Sequence, residues 1–249
     1  MMKKLILVLG VSLSLGIAAG LLPAYAQPID RTQLPIPDTQ YKYPGKVPLD
    51  ARDAKFPPIE PLRPPKGAPN VVVILLDDIG FGAPNTFGGG VNMPTMDSLA
   101  RQGLRYTQFH TAALCSPTRQ ALLTGRNHHS VGLGSITELA TSAPGYNSLR
   151  PNQVATVAEI LKLNGYSTAA FGKMHQTPVW EVSVSGPFTH WPIGDGFEKF
   201  YGFLGGETNQ WAPLIYDGTT VVEPPHTPGY NFMTDMANQA IALRGFSTL

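Results

Sequence analysis

Six consecutive apolar residues, Val71 to Leu76, constrain the fold more than any other feature of this chain. The first four are β-branched, and the run ends at Asp77, Asp78 and a Gly-containing turn. A continuous apolar run that ends in polar residues is typical of a strand buried in a parallel sheet. Ligands of open α/β sheets bind at the carboxyl ends of the strands, so we expect Asp77 and Asp78 to lie in a functional site.

Further segments alternate between helical and strand patterns. Capping residues and apolar stripes predict helices at 94–102, 117–123, 152–163 and 234–244, and apolar patterns predict strands at 104–109 and 166–171. The region 176–228 is loop-rich and aromatic, with Trp180, Trp191, Phe197, Tyr201 and Trp211. This order predicts an α/β fold, a three-layer sandwich around a mixed, mainly parallel sheet.

Three regions follow one another along the chain. Residues 1–26 combine Lys3 and Lys4, an apolar stretch and a small-residue site at Ala24 to Ala26, which predicts a cleaved signal peptide. An uncleaved membrane anchor is the alternative, because the apolar stretch is nearly long enough to span a bilayer. Residues 27–69 form a Pro-rich extension, and residues 70–249 form the folded domain. We therefore expect a periplasmic or secreted protein that has no membrane attachment after cleavage.

Charge and cysteine content narrow the function classes. The formal net charge is +1 with no Lys/Arg block, which argues against a nucleic-acid partner. The single cysteine, Cys115, cannot form an internal disulfide bond. A buried, inert thiol is the common explanation for a lone cysteine.

The residues around Cys115 indicate a reactive site. A side chain that begins a helix lies among unpaired backbone N–H groups, which favour an anionic oxygen. Arg119 follows four residues later on the same face of the predicted helix, where it can fix the oxygen of a nucleophile and hold a carboxylate or sulfate-like group bidentately.

The segment Cys115-Ser116-Pro117-Thr118-Arg119, continued to Thr124-Gly125-Arg126, resembles the sulfatase signature. The resemblance runs from about residue 70 to residue 244 and is to the bacterial arylsulfatase branch of the alkaline-phosphatase-like superfamily. It implies that a formylglycine-generating enzyme oxidises Cys115 to formylglycine. The hydrate of that aldehyde has two hydroxyls, of which one attacks sulfur and the other later expels sulfate as the aldehyde reforms.

Asp77 and Asp78 form the second candidate constellation. Adjacent carboxylates at a buried strand end repel each other unless a cation lies between them, and such hard oxygen ligands favour Ca²⁺, or less readily Mg²⁺, over zinc. The resemblance implies a calcium site made by Asp77, Asp78 and the residue derived from Cys115. The alternative is a helix cap followed by a solvated turn residue.

Lys173 and His175 form the third constellation. Residues two apart on an extended segment point the same way, so both side chains can reach one pocket. Gly172 to His175 resembles the Gly-Lys-x-His motif of sulfatases, with Met174 in place of the usual Trp. In that family the Lys contacts the hydrate and the sulfate, and the His assists collapse of the hemiacetal. A surface Lys and a capping His are the alternative.

The resemblance therefore implies a sulfuric ester hydrolase that acts on a small-molecule sulfate ester. Beyond a helix like 234–244, sulfatases carry another strand, a second His, an Asp-Asn pair and a second Lys; we expect the fold here to be incomplete at the C-terminus. Three alternatives stay open: an inactive sulfatase fragment, a phosphate or phosphonate ester hydrolase of the same superfamily, and a carbohydrate-binding module that uses exposed aromatic residues.

Overall fold

The computed structural model describes residues 30–37, 45–56 and 59–244, so the predicted signal peptide lies outside the described residues. The chain separates into two compact units, 1–60 and 61–249, and the division falls within the predicted Pro-rich extension. The described part of the first unit contains the short 3-10 helix Ala51–Asp53. No helix in the described ranges is long and apolar enough to cross a bilayer. The predicted domain boundaries stay predictions.

The second unit is built on a four-stranded mixed sheet. Its strands, in spatial order, are β1 (Ala169–Lys173), β2 (Lys199–Phe203), β3 (Ile215–Asp217) and β4 (Thr220–Val222). The β1–β2 pairing is parallel, and the other two pairings are antiparallel. Gly172 lies opposite Gly202, where an added Cβ on Gly202 would be 2.0 Å from the Gly172 carbonyl oxygen. The predicted α/β class with a mixed sheet is confirmed.

Aromatic side chains fill both faces of this sheet. Alternation along β2 places Phe200 in one apolar cluster and Tyr201 in the other. Trp191 is fully buried and makes edge-to-face contact with Tyr216 at 5.0 Å between ring centroids. The region predicted as loop-rich therefore contributes three strands and much of the core. Among its five aromatic residues named above, Trp180 and Trp211 are exposed, and the other three are buried or half-buried.

Within residues 59–244, four α-helices accompany the sheet: α1 (Pro94–Gln102), α2 (Cys115–Thr124), α3 (Val157–Leu163) and α4 (Phe232–Arg244). Helix α1 has the predicted bounds, and α2 and α4 begin two residues earlier than predicted. Helix α3 begins five residues later than the predicted start at residue 152, because Thr156 caps it by accepting a hydrogen bond from the Glu159 amide at 3.1 Å. Helix α4 packs against β1 and β2.

The predicted strands at 71–76 and 104–109 are wrong for the structure as described. Neither segment pairs with another strand in the described part of the chain, and Val72 and Leu104 are 81% and 84% exposed. An apolar run indicates that a segment favours burial. A strand also needs a neighbouring strand with which to form backbone hydrogen bonds, and the run itself does not determine that neighbour. The strand predicted at 166–171 forms as β1, three residues later than predicted.

Two phenols, one in β2 and one in the turn before α4, bond to the same carboxylate of α4. The hydroxyl of Tyr201 donates to Asp235 Oδ2 at 2.7 Å, and the hydroxyl of Tyr230 donates to the same oxygen at 2.9 Å. Burial, followed by the bond to the Asp235 carboxylate, raises the pKa of Tyr230 to about 12. The same two causes raise the pKa of Tyr201. Both phenols are therefore held protonated in the folded state.

We predict that the free energy of unfolding decreases as the pH rises above about 10, because the unfolded chain then loses phenolic protons that the folded chain retains. This contribution is fully present below the unfolded-state pKa and is lost as the pH approaches the folded pKa of Tyr230, about 12. Urea unfolding across this range should show a smaller decrease for Tyr230→Phe. The exposed Tyr106→Phe is the control; equal decreases in both variants would contradict the prediction.

Candidate active site

Cys115 is the first residue of α2. The preceding Leu114 is extended, with φ −131° and ψ 162°, and its carbonyl accepts the Thr118 amide at 3.2 Å. The buried Ser116 and Pro117 fix this turn, while Cys115 itself is a partly exposed free thiol. The predicted position of Cys115 at a helix start is confirmed. Its side chain emerges beside unpaired amide groups at the positive end of the helix.

Arg119 connects α2 to two other segments. It is 9% exposed, and its Nη2 donates to Asp77 Oδ1 at 3.0 Å while its Nη1 donates to the Lys173 carbonyl oxygen at 2.6 Å. The guanidinium therefore bridges a carboxylate and a backbone carbonyl; it does not hold one carboxylate bidentately. This arrangement holds the end of β1 and the end of the apolar run 71–76 against α2.

Lys173, the last residue of β1, completes the contact with Cys115. Its Nζ lies 2.7 Å from Asp77 Oδ2 and 3.2 Å from Cys115 Sγ, and its side chain is 11% exposed. A largely buried ammonium group is thus held between a carboxylate and the thiol. The structure thus places Lys173 beside the Cys115 sulfur, whereas its contact with a hydrate and with sulfate stays a prediction.

Asp77, Asp78 and Cys115 meet as one possible metal-ligating group. One ligand atom from each lies within 4.8 Å of the others. Burial raises the pKa of Asp77, but hydrogen bonds from Lys173 and Arg119 outweigh it, so this pKa falls below its usual value. Asp78 is exposed and adopts a left-handed conformation with φ 51°, which turns the chain sharply between the two carboxylates.

These residues fit a hard divalent cation. Both Asp77 oxygens accept from Arg119 or Lys173, yet each carboxylate oxygen has a second lone pair, so Asp77 can serve both neighbours and a metal ion. Asp78 is open to solvent, and its side chain makes no hydrogen bond with the residues that the structure describes. Calcium takes six to eight oxygens, so the ligand set among the described residues is partial.

His175 lies in the same region but makes a different contact. Its Nε2 is 3.0 and 2.8 Å from the two carboxylate oxygens of Glu138, and the imidazole is almost fully buried. Lys173 reaches Cys115, whereas His175 reaches Glu138, so the two side chains do not share a partner in the described structure. Burial raises the pKa of Glu138, but the hydrogen bond with His175 outweighs it and lowers this pKa.

Sequence reasoning missed Glu138, which lies in the 3-10 helix Thr137–Leu139. No motif marks it, because its partner is 37 residues away and only the fold joins them.

Two other histidines have no hydrogen bond to this pair in the described part of the chain. His129, in the 3-10 helix His128–Val131, contacts the Tyr146 hydroxyl at 3.1 Å, and His226 lies in an exposed loop. The loop at 205–211 approaches the site through Gly206, whose Cα faces the His175 ring.

The chain is similar to known proteins over much of its length. A family model described as Sulfatase matches residues 69–245. Arylsulfatase of Klebsiella aerogenes is 34% identical over 161 residues, which cover 64% of this chain and 32% of that protein. Steryl-sulfatase of Homo sapiens is 37% identical over 141 residues, which cover 54% of this chain and 23% of that protein. The chain thus spans about a quarter to a third of the length of these curated relatives.

A solved structure, that of Ps i-CgsB, shares the fold. It superposes with a TM-score of 0.56 at 24% identity and covers 69% of this chain and 40% of that chain. At this identity the likeness supports the architecture alone. It is consistent with the α/β arrangement around the mixed sheet.

We predict that Arg119→Ala lowers the free energy of unfolding by about 2 kcal/mol, because a buried guanidinium then no longer bonds Asp77 and the Lys173 carbonyl. Urea unfolding measures the change. The exposed Arg126→Ala is the matched control and should stay within about 0.5 kcal/mol of the parent protein. Equal losses in the two variants would show that the bridge made by Arg119 is not structural.

Proposed function

The chain belongs to the sulfatase family, and we propose that it carries the nucleophile-bearing part of a sulfuric ester hydrolase of the arylsulfatase type. The observation that carries the proposal is the position of Cys115 at the start of α2, with Lys173 Nζ 3.2 Å from its sulfur and two carboxylates beside it. In this proposal a formylglycine-generating enzyme converts Cys115 to formylglycine, and a hydroxyl of its hydrate attacks the sulfur of a small-molecule sulfate ester.

Formal charges support a role for a cation. Asp77 and Asp78 carry two negative charges, and Arg119 and Lys173 carry two positive charges, so this group of four is neutral. A neutral site does not attract an anionic sulfate ester by charge. A bound Ca²⁺ at Asp77 and Asp78 supplies the missing positive charge and stabilises negative charge that develops on oxygen.

The cationic side chains have separate tasks in this proposal. The ammonium of Lys173 lies at the nucleophile position and donates hydrogen bonds to oxygens there and to the sulfate group. Arg119 keeps Asp77 and the end of β1 in place through two hydrogen bonds. Asp77 in turn orients both cations while it ligates the metal ion. His175 accepts a proton as the sulfate product leaves.

Location and completeness are also proposals. The apolar, basic-flanked segment 1–26 supports export to the periplasm or the medium. Because the described residues supply only part of a calcium ligand set, we propose that further ligands come from the part of the sulfatase fold that this chain does not span.

We predict that protein carrying formylglycine at position 115 hydrolyses an aryl sulfate in the presence of Ca²⁺. The Cys115→Ala variant should lose roughly 10³-fold or more in rate, because the nucleophile is absent. A matched aryl phosphate is assayed in parallel and should react more slowly. Complete lack of turnover in a fully modified sample favours an inactive sulfatase fragment, and faster cleavage of the phosphate ester favours the phosphohydrolase alternative.

We also predict that Ca²⁺ binds to the unmodified protein and that Asp78→Asn weakens binding by about tenfold or more, because one anionic ligand is lost. Calorimetric titration measures both affinities without any need for turnover. Asp53→Asn, at an exposed carboxylate of the other unit, is the control. The metal assignment is wrong if the two variants bind Ca²⁺ equally well, or if Mg²⁺ binds more tightly than Ca²⁺.

A further inference from the structure

The Glu138–His175 pair joins a solvent-accessible acid to a buried base. The Glu138 side chain is 43% exposed, whereas that of His175 is 4% exposed, and both carboxylate oxygens lie within 3.0 Å of Nε2. An ion pair between two exposed side chains contributes little to stability. This pair differs because its histidine is removed from water and held at a single position.

Three independent features fix the His175 ring. The backbone of His175 has φ 48°, a left-handed conformation that costs a non-Gly residue about 1 kcal/mol or more and is found at functional sites. Gly206 packs on the ring so closely that an added Cβ would lie 2.9 Å from Cε1. The carboxylate of Glu138, in the 3-10 helix Thr137–Leu139, accepts a hydrogen bond from Nε2 at 2.8 Å. A ring held in this way cannot exchange its two nitrogens by flipping.

The second ring nitrogen is buried without a partner. Nδ1 of His175 has no hydrogen-bond partner among the described residues, although it is shielded from solvent. An ionised carboxylate only accepts hydrogen bonds, and the lowered pKa of Glu138 keeps it ionised at neutral pH. The proton of a neutral His175 must then lie on Nε2, which leaves a lone pair on Nδ1.

We propose that Glu138 is a positioning residue for His175: it holds the imidazole as the Nε2–H tautomer and leaves Nδ1 as the proton acceptor. The catalytic role of this tautomer rests on the proposed sulfatase function, whereas the assignment of the tautomer itself does not depend on that function. When Nδ1 takes a proton from a hydroxyl in the site, the O–H bond breaks, its electron pair stays on oxygen and an N–H bond forms. The imidazolium that results is stabilised by the Glu138 carboxylate, as in other acid–histidine pairs.

The test is the tautomer of His175 in the full-length, ¹⁵N-labelled protein, read from two-bond ¹H–¹⁵N correlations of the imidazole rings. The His175→Gln spectrum assigns the resonances. We expect the Nε2–H form in the parent protein and in Glu138→Gln, whose amide oxygen still accepts a hydrogen bond from Nε2–H. In Glu138→Ala we expect a substantial loss of that form, with protonation of Nδ1. The proposal is overturned if the parent protein shows the Nδ1–H form or if Glu138→Ala leaves the tautomer unchanged.

Glu181→Gln is the matched control, because Glu181 makes a similar bond to His190 Nδ1 at 2.7 Å. It should change the His190 resonances and leave those of His175 unaltered; a change at His175 as large as that in Glu138→Ala would contradict a specific role for Glu138. If Glu138→Ala does not fold, Gly206→Ala displaces the ring from its other face and should cause the same loss of the Nε2–H form. Retention of that form would overturn the proposal.

In a catalytically active sample, Glu138→Gln should lower kcat by roughly 10- to 100-fold with little change in KM, because the negative charge beside the imidazolium is lost. An unchanged kcat would overturn the catalytic part of the proposal. The tautomer measurement requires no turnover, so absence of sulfatase activity would contradict the proposed function and leave the assignment of Glu138 to be decided by the spectra.

Discussion

The carboxylate of Asp77 is the contact on which the site depends. It accepts a hydrogen bond from Arg119 on α2 through one oxygen and from Lys173 at the end of β1 through the other. Three segments that are distant in sequence therefore meet at one acid, and Cys115 is brought to 3.2 Å from the same ammonium group. The Asp77 carboxylate is 43% exposed, so water also reaches the point at which the three segments meet.

The sequence predicts the parts of this site that depend on local pattern. Pro94 and Gly103 frame α1, and Cys115 begins α2 as the motif implies. The sequence marks Asp77 and Lys173 separately as site residues, but their mutual contact is formed only by the fold. Glu138 could not be predicted, because its contact with His175 is formed only when the 3-10 helix near residue 138 meets the segment after β1.

The same distinction explains the errors in the fold. Hydrophobic pattern gives the need for burial but not the partner, so the run 71–76 was expected in a sheet and instead lies without a strand partner among the described residues. The late start of α3 follows from one side-chain cap at Thr156, which pattern alone does not reveal. The short strands β2 to β4 were hidden within an aromatic, glycine-rich region that favoured a loop interpretation.

The central claim is that Cys115 is the precursor of the nucleophile, held against a cation site by Asp77, Arg119 and Lys173. Mass spectrometry of the peptide containing Cys115 tests it most directly, with the protein produced alongside a formylglycine-generating enzyme. The account predicts that the thiol is replaced by an aldehyde. An unmodified thiol in every copy, while a known substrate of that enzyme is converted in the same cells, would contradict it.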